Sequence, residues 1–233
     1  HLTPVQTVSV RDNSDRLCGV GRIADYVRAC ALRALHELMP ANHGDSPYTL
    51  LNVFERRNRR QSLRQICNLS TSVPIVVPAT IATNVRAVAD AIREQTGERL
   101  AAGIAVEHAC ALWLLTRLPT TWLGAATARR LRPRRGTPGP SRRFGLAPPP
   151  SLPLGLIGQT SRPMHTFCGV PVSNYHGFSP PLPDNGFAMT VNMTDARLNL
   201  SIVWYENRLP AEQAEQVLDG CVARLLDPGG GRS

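Results

Sequence analysis

Six histidines, clusters of arginine, and scattered carboxylate, amide and hydroxyl groups are what this 233-residue chain has to offer for chemistry. The histidines (His1, His36, His43, His108, His165, His176) include no adjacent pair, and none has an Asp four positions later. No G-x-S-x-G elbow presents a serine nucleophile, and no C-x-x-C or Cys–His spacing fits a zinc site. His43-Gly44-Asp45-Ser46 has the residue types of a hydrolase nucleophile block. Such a block follows a strand and leads into a helix, whereas this one comes before an expected strand. Gly19-Val20-Gly21 lacks the third glycine of a dinucleotide loop and follows a polar stretch, so it reads as a flexible entry into a helix. His108 lies within an apolar helical run, where a hydrogen-bonded structural role is the simpler reading.

All 26 basic residues are Arg, which reads as coding bias, and the net charge is +9. Seven of these Arg fall between Arg129 and Arg143 with no acid among them, leaving 19 Arg against 17 acids elsewhere. The body of the chain is therefore close to neutral, which argues against a nucleic-acid-binding face spread over the fold. A second basic run places five Arg (56, 57, 59, 60, 64) against one acid. It reads either as a solvated loop or as a rim where Arg60 and Arg64 attract the phosphates of coenzyme A or of a carrier-protein arm. Six Cys with no paired spacing are expected to be free thiols of a reducing compartment. No basic-then-apolar leader and no run near the ~20 apolar residues of a membrane span is seen, so a cytoplasmic protein is expected.

The elements that would position these groups follow from periodicity. Phe187, Met189, Val191 and Met193 alternate with polar or small residues, as do Leu198, Leu200, Ile202 and Trp204 after the turn Thr194-Asp195-Ala196, which predicts a hairpin. Pro210 then stands where a helix begins, and Ala214, Val217, Leu218, Cys221, Val222 and Leu225 form one apolar stripe. Toward the other end, residues 1–10 alternate as a strand and a polar loop runs to Gly21. A helix is expected over 23–39, where Ile23, Val27, Cys30, Ala31, Ala34, Leu35 and Leu38 share a stripe and Pro40 stops it. Strands are expected at 48–54 and 73–77, a helix over 84–96 ending at Gly97, a second helical run over 99–118, and a short helix within 121–131. Residues 132–153 hold seven Pro and nothing periodic, which predicts a surface loop.

The run Phe167-Cys168-Gly169-Val170-Pro171-Val172, then Ser179-Pro180-Pro181-Leu182, then the hairpin and helix, resembles the C-terminal region of the bacterial wax ester synthase/diacylglycerol acyltransferases, within the condensation-domain-like acyltransferase superfamily. That family starts a helix with Asn-Asp, and the matching place here is Ala24-Asp25. Its Gly-Asn-apolar motif is matched by Cys67-Asn68-Leu69. Its Ser-Asn-x-Pro-Gly-Pro-like turn is not preserved, the comparable place reading Gly158-Gln159-Thr160-Ser161-Arg162-Pro163. A frame-disturbed or diverged stretch within 125–158 would explain that loss, and an unbroken strand through 145–158 would count against it.

The resemblance implies an α/β fold, a mixed β-sheet covered by helices, equivalent to one chloramphenicol-acetyltransferase-like half (a two-layer sandwich). Residues 1–228 would form this C-terminal subdomain, with 129–153 an internal loop and 229–233 a tail. The family's His-His-x-x-x-Asp-Gly motif, whose second His acts as general base, is absent, so catalysis would need an N-terminal half in the same or a separate chain. The implied activity is acyl transfer from a thioester (acyl-CoA or acyl carrier, a co-substrate and not a bound cofactor) to a hydroxyl of a lipid or secondary metabolite. This half would contribute tunnel wall, with Asp25, Asn68, Gln159 and Ser161 on the substrate side. Asp25 also has a plainer reading as a first-turn acid favoured by the helix dipole. A binding or scaffold domain that kept the fold and lost the activity is the alternative.

Overall fold

The computed structural model describes residues 1–38, 47–55, 70–103, 117, 119, 121–122, 152–157, 166–171, 187–194, 197–207 and 209–229. Its centre is a helix, α2 (Ile23–Leu38), in which every residue from 26 to 35 is buried. A helix apolar on one stripe should keep its other face wet. Here α1 (Pro4–Cys18), α3 (Val85–Ala101) and α4 (Ala211–Leu226) pack around it, and the sheet closes the remaining side. Tyr26, Leu32 and Leu35 are fully buried, each contributing about 1.5–3 kcal/mol of apolar transfer. α2 and α4 run antiparallel: the Tyr26 hydroxyl donates to the Leu225 carbonyl, and Gly220 faces Ala34 and Leu38.

The sheet has five strands: β1 (Tyr48–Glu55), β2 (Ser70–Val77), β3 (Leu152–Ile157), β6 (Phe187–Thr194) and β7 (Arg197–Trp204), in the order β2-β1-β3-β6-β7. The outer pairs are antiparallel and β3 runs parallel to both of its neighbours. Tyr48, Leu50, Val73, Ile75, Val77, Phe187, Met189, Val191, Leu198 and Leu200 face the helices and form one buried cluster with them. The expected α/β architecture, a mixed sheet covered by helices, is present. A separate hairpin, β4 (Thr166–Phe167) with β5 (Val170–Pro171), turns through Cys168 and Gly169, both at positive φ. Among the described residues, no helix is long and apolar enough to cross a membrane.

Five sequence expectations need correction. Residues 1–10 are not a strand. Thr3 caps α1 by accepting from the Gln6 N–H at 3.2 Å, Gln6 Oε1 accepts from the Thr3 N–H at 2.9 Å, and Pro4 fits the first turn. The stripe α1 buries is Thr7, Val10, Ser14 and Cys18, half of it polar, while Val5 and Val8 are exposed. The predicted polar loop to Gly21 is accordingly helix as far as Cys18. α3 passes through Gly97, at a cost of about 1 kcal/mol relative to Ala, and stops before Gly103, whose φ is 81°. The loop expected through 153 gives way to β3 at Leu152, which runs to Ile157. Residues 145–151, most of the second helical run and most of the short helix expected at 121–131 lie outside the described residues. Finally, the ladder closes at Thr194↔Arg197, so the hairpin connection has two residues instead of three.

Candidate functional site

Asp25 stands in the first turn of α2, behind the turn that Gly19 and Gly21 make at φ 98° and 78°. Its carboxylate accepts from Arg28 Nη1 at 3.3 Å, and the Arg28 side chain is almost wholly buried. Arg22 lies nearby, with Nη1 donating to the Cys18 carbonyl at 2.6 Å and pairing with Asp90 at 3.3 Å. Burial pushes the Asp25 carboxyl above its ordinary range, opposed by Arg28 and Arg22. The same burial lowers Arg28 to about 10, opposed by Asp25. Each partner thus loses more by desolvation than the pair returns, as is usual for buried ion pairs. Asp25 is occupied in compensating a buried guanidinium, and Arg28 Nε has no partner among the described residues.

None of the other expected binding residues can be set beside it. Asn68, Gln159, Ser161, Arg60 and Arg64 all lie outside the described residues.

A second polar constellation lies on the sheet face turned away from the helices. In the β6–β7 ladder Thr190 pairs with Ser201 and Asn192 with Asn199, and the same register brings Gly155 of β3 beside Thr190. Thr190, Asn192, Asn199 and, on β1, Thr49 are buried, and Ser201 Oγ donates to the Thr190 carbonyl at 3.5 Å. Among the described residues the Thr190 hydroxyl oxygen has no partner. Hydroxyls and amides in such a row can orient a polar group, but none is a base able to take a proton at neutral pH. The sequence reading passed over these residues as the polar half of an alternation. The available signal was asparagine in a strand, at 192 and 199, where it is ordinarily depleted.

On the opposite face His36 Nδ1 and the Tyr48 hydroxyl are 2.7 Å apart, their rings edge-to-face at 5.6 Å. Burial raises the Tyr48 pKa, and the pair fastens the last turn of α2 to the start of β1. His43, His108, His165 and His176 lie outside the described residues. Among the described residues no three His, Cys, Asp or Glu gather as a metal site. Cys18, Cys30 and Cys221 are buried free thiols; burial pushes Cys18 up to about 11 and Cys221 up to about 12, so they act as packing groups. Cys168 is free and exposed, while Cys67 and Cys110 lie outside the described residues.

No protein-family model matches the chain, and no curated protein does. Solved structures do. The epimerization domain from the third module of tyrocidine synthetase B is 14% identical with a TM-score of 0.52, covering 97% of this chain and 45% of its own. The structure described as the molecular basis for condensation domain-mediated chain release from the enacyloxin polyketide synthase is 12% identical with a TM-score of 0.51, covering 100% of this chain and 41% of its own. This chain therefore spans less than half the length of the structures it matches, and its fold is similar to that of one part of a condensation-type domain.

Proposed function

We propose that this chain is the C-terminal half of an O-acyltransferase that moves an acyl group from acyl-CoA or an acyl carrier to a hydroxyl of a lipid or secondary metabolite. The observation that supports it is the match of nearly the whole chain to less than half of each condensation-type structure. In this reading the other half brings a paired-His motif, whose second His takes the proton of the acceptor hydroxyl. The alkoxide oxygen forms the new ester bond at the thioester carbonyl, the C–S bond breaks, and the thiolate leaves with a proton. The present half contributes wall and orientation, worth as much to such a reaction as the base itself when the two substrates must be aligned. Thr190, Asn192 and Asn199 are added to Asn68, Gln159 and Ser161 as groups for orienting the substrates, and Arg60 and Arg64 to receive phosphates.

The test is to co-express this chain with its neighbouring coding sequence and follow labelled acyl-CoA into long-chain alcohol or diacylglycerol. Ester formed by the pair and by neither alone is the expected result. A neighbouring sequence without the paired His, or a pair that forms no ester, overturns it. A specific observation favours the second reading, a scaffold of the same fold: Asp25 is engaged by Arg28, and Ala24 stands where the family has Asn. A pair that binds acyl-CoA without transferring it would select that reading.

A further inference from the structure

Arg11 gives its guanidinium to a poor acceptor. It stands half-buried in α1, and its Nη2 donates to Met193 Sδ on β6 at 2.8 Å. Among the described residues no carboxylate pairs with it. Asp15, four residues on and within reach along the helix, accepts instead from the Gly21 N–H at 3.2 Å. A guanidinium carries five N–H donors, whereas a thioether sulfur is a weak acceptor. The pair is therefore lopsided: strong donors face a group that can hardly use them.

Met193 also differs from the other methionine of its strand. Met189 lies on the same face of β6 and is fully buried, while Met193, next to the strand's end, is half-buried at the rim of the core. Across the hairpin Met193 pairs with Leu198, and α1 holds Leu198 from the other side. The Leu198 carbonyl accepts from the Leu2 N–H at 2.9 Å, and its N–H donates to Thr7 Oγ1 at 3.0 Å. Oxidation of a core methionine disrupts packing because the new S–O group is polar and finds no partner. At Met193 a partner already stands against the sulfur. We propose that Met193 is a modification site, where peroxide converts the thioether to a sulfoxide and Arg11 donates to the new oxygen. This stands apart from the acyl-transfer reading.

The step transfers two electrons. A lone pair of Sδ attacks one oxygen of hydrogen peroxide, and the S–O bond forms as the O–O bond breaks. The departing hydroxide takes the proton of the transferred oxygen and leaves as water. Sulfur is oxidised, the peroxide is reduced, and the chain's net charge is unchanged. The sulfoxide oxygen carries the partial negative charge that the sulfur lacked, so a charge-assisted hydrogen bond replaces a weak one. Arg11 can back away to admit the oxygen, since its long side chain is only half-buried and tied to nothing else among the described residues. The oxidised form thus keeps α1 fastened to the hairpin, where a sulfoxide at Met189 would be enclosed by the core.

Hydrogen peroxide added to the folded 233-residue chain should oxidise Met193 about fivefold faster than Met189 or more, as read by peptide mass spectrometry. The urea midpoint should fall no further than that of Met193→Leu oxidised alike, which reports what the other methionines contribute. In Arg11→Leu the same oxidation should lower the midpoint clearly. Met193 reacting no faster than Met189, or a midpoint that falls equally with and without Arg11→Leu, overturns the proposal. Should Arg11→Leu fail to fold, Met193→Gln decides, because its carboxamide oxygen offers Arg11 a comparable acceptor. A midpoint at or above that of Met193→Leu supports the proposal, and one clearly below it overturns it.

Discussion

At the β2 edge of the sheet, the Gln95 side chain of α3 lies against the outward groups of Val76, its Oε1 accepting from the Val76 N–H at 2.9 Å and its Nε2 donating to the Val76 carbonyl at 2.7 Å. Two residues earlier, Pro74 turns the same way and has no N–H to offer. The β7 edge is treated differently: Leu2 and Thr7 of α1 satisfy Leu198, and among the described residues nothing bonds to the outer side of the rest of the strand. Both seals use a helix residue in place of a missing strand. One is an exposed-to-half-buried amide making two bonds from a single side chain, and the other is a buried hydroxyl assisted by a main-chain N–H. The difference shows two ways in which a helix closes part of a sheet edge.

The largest effect is expected where the seal is buried. Thr7→Val keeps the side chain's shape but strands the Leu198 N–H, a loss of about 1–3 kcal/mol. Urea unfolding should show the midpoint falling with an unchanged slope, and a change near zero would mean that α1 does not close β7. Gln95→Leu removes two bonds at a half-buried edge that water can partly replace, so about 1–1.5 kcal/mol is expected, less than at Thr7. If Gln95→Leu proves the costlier variant, the ranking of the two edges is reversed. Gln95→Leu should also speed exchange of the Val76 amide and leave that of Leu198 alone.

Neither seal was legible in the sequence, although the elements that carry them partly were. The hairpin of β6 and β7 was readable because one face is packed and the other polar, so alternation survives in Phe187, Met189, Val191, Leu198 and Leu200. α1 was not, because its buried stripe includes Thr7 and Ser14, while Val5 and Val8 sit in water and imitate a strand. The capping box of Thr3 and Gln6 was the signal that outweighed them. β3 was hidden for another reason. A strand flanked on both sides by parallel neighbours has no polar alternation, and this one begins directly after a proline-rich run. α2 was placed correctly, but its burial of Arg28 and Arg33 depends on neighbours far along the chain. At the candidate site the same limit applies: Asp25 was recognisable as a first-turn acid, whereas its engagement by Arg28 and the polar row of Thr190, Asn192 and Asn199 exist only once register is set.

The seal on β7 depends in turn on where α1 begins. Thr3→Ala removes the cap at a mostly exposed helix start and should cost about 1 kcal/mol. Its more telling consequence is local: the Leu198 amide should exchange faster while the Val76 amide does not. Equal acceleration of both would mean that the variant loosens the whole sheet.

The smallest effect separates both edges from the helix layer by pH. Glu37 on α2 accepts from Arg33 Nε at 2.8 Å and pairs with Arg224 of α4 at 2.7 Å. Burial would raise its pKa, but the bonds from these two arginines outweigh that and hold it below the ordinary 4.5. A carboxyl depressed in the folded state contributes stability that is present above its unfolded value and lost as pH falls through the folded one. Acidification below about pH 4.5 should therefore lower the urea midpoint, and Glu37→Gln should flatten that part of the decline by a few tenths of a kcal/mol, as expected for a half-exposed pair. Gln95, Thr7 and the main-chain groups they satisfy do not titrate there. The cost of Gln95→Leu and that of Thr7→Val should consequently keep the same ratio at pH 7 and pH 4, and a ratio that drifts with pH would place an ionisable group at one of the two edges.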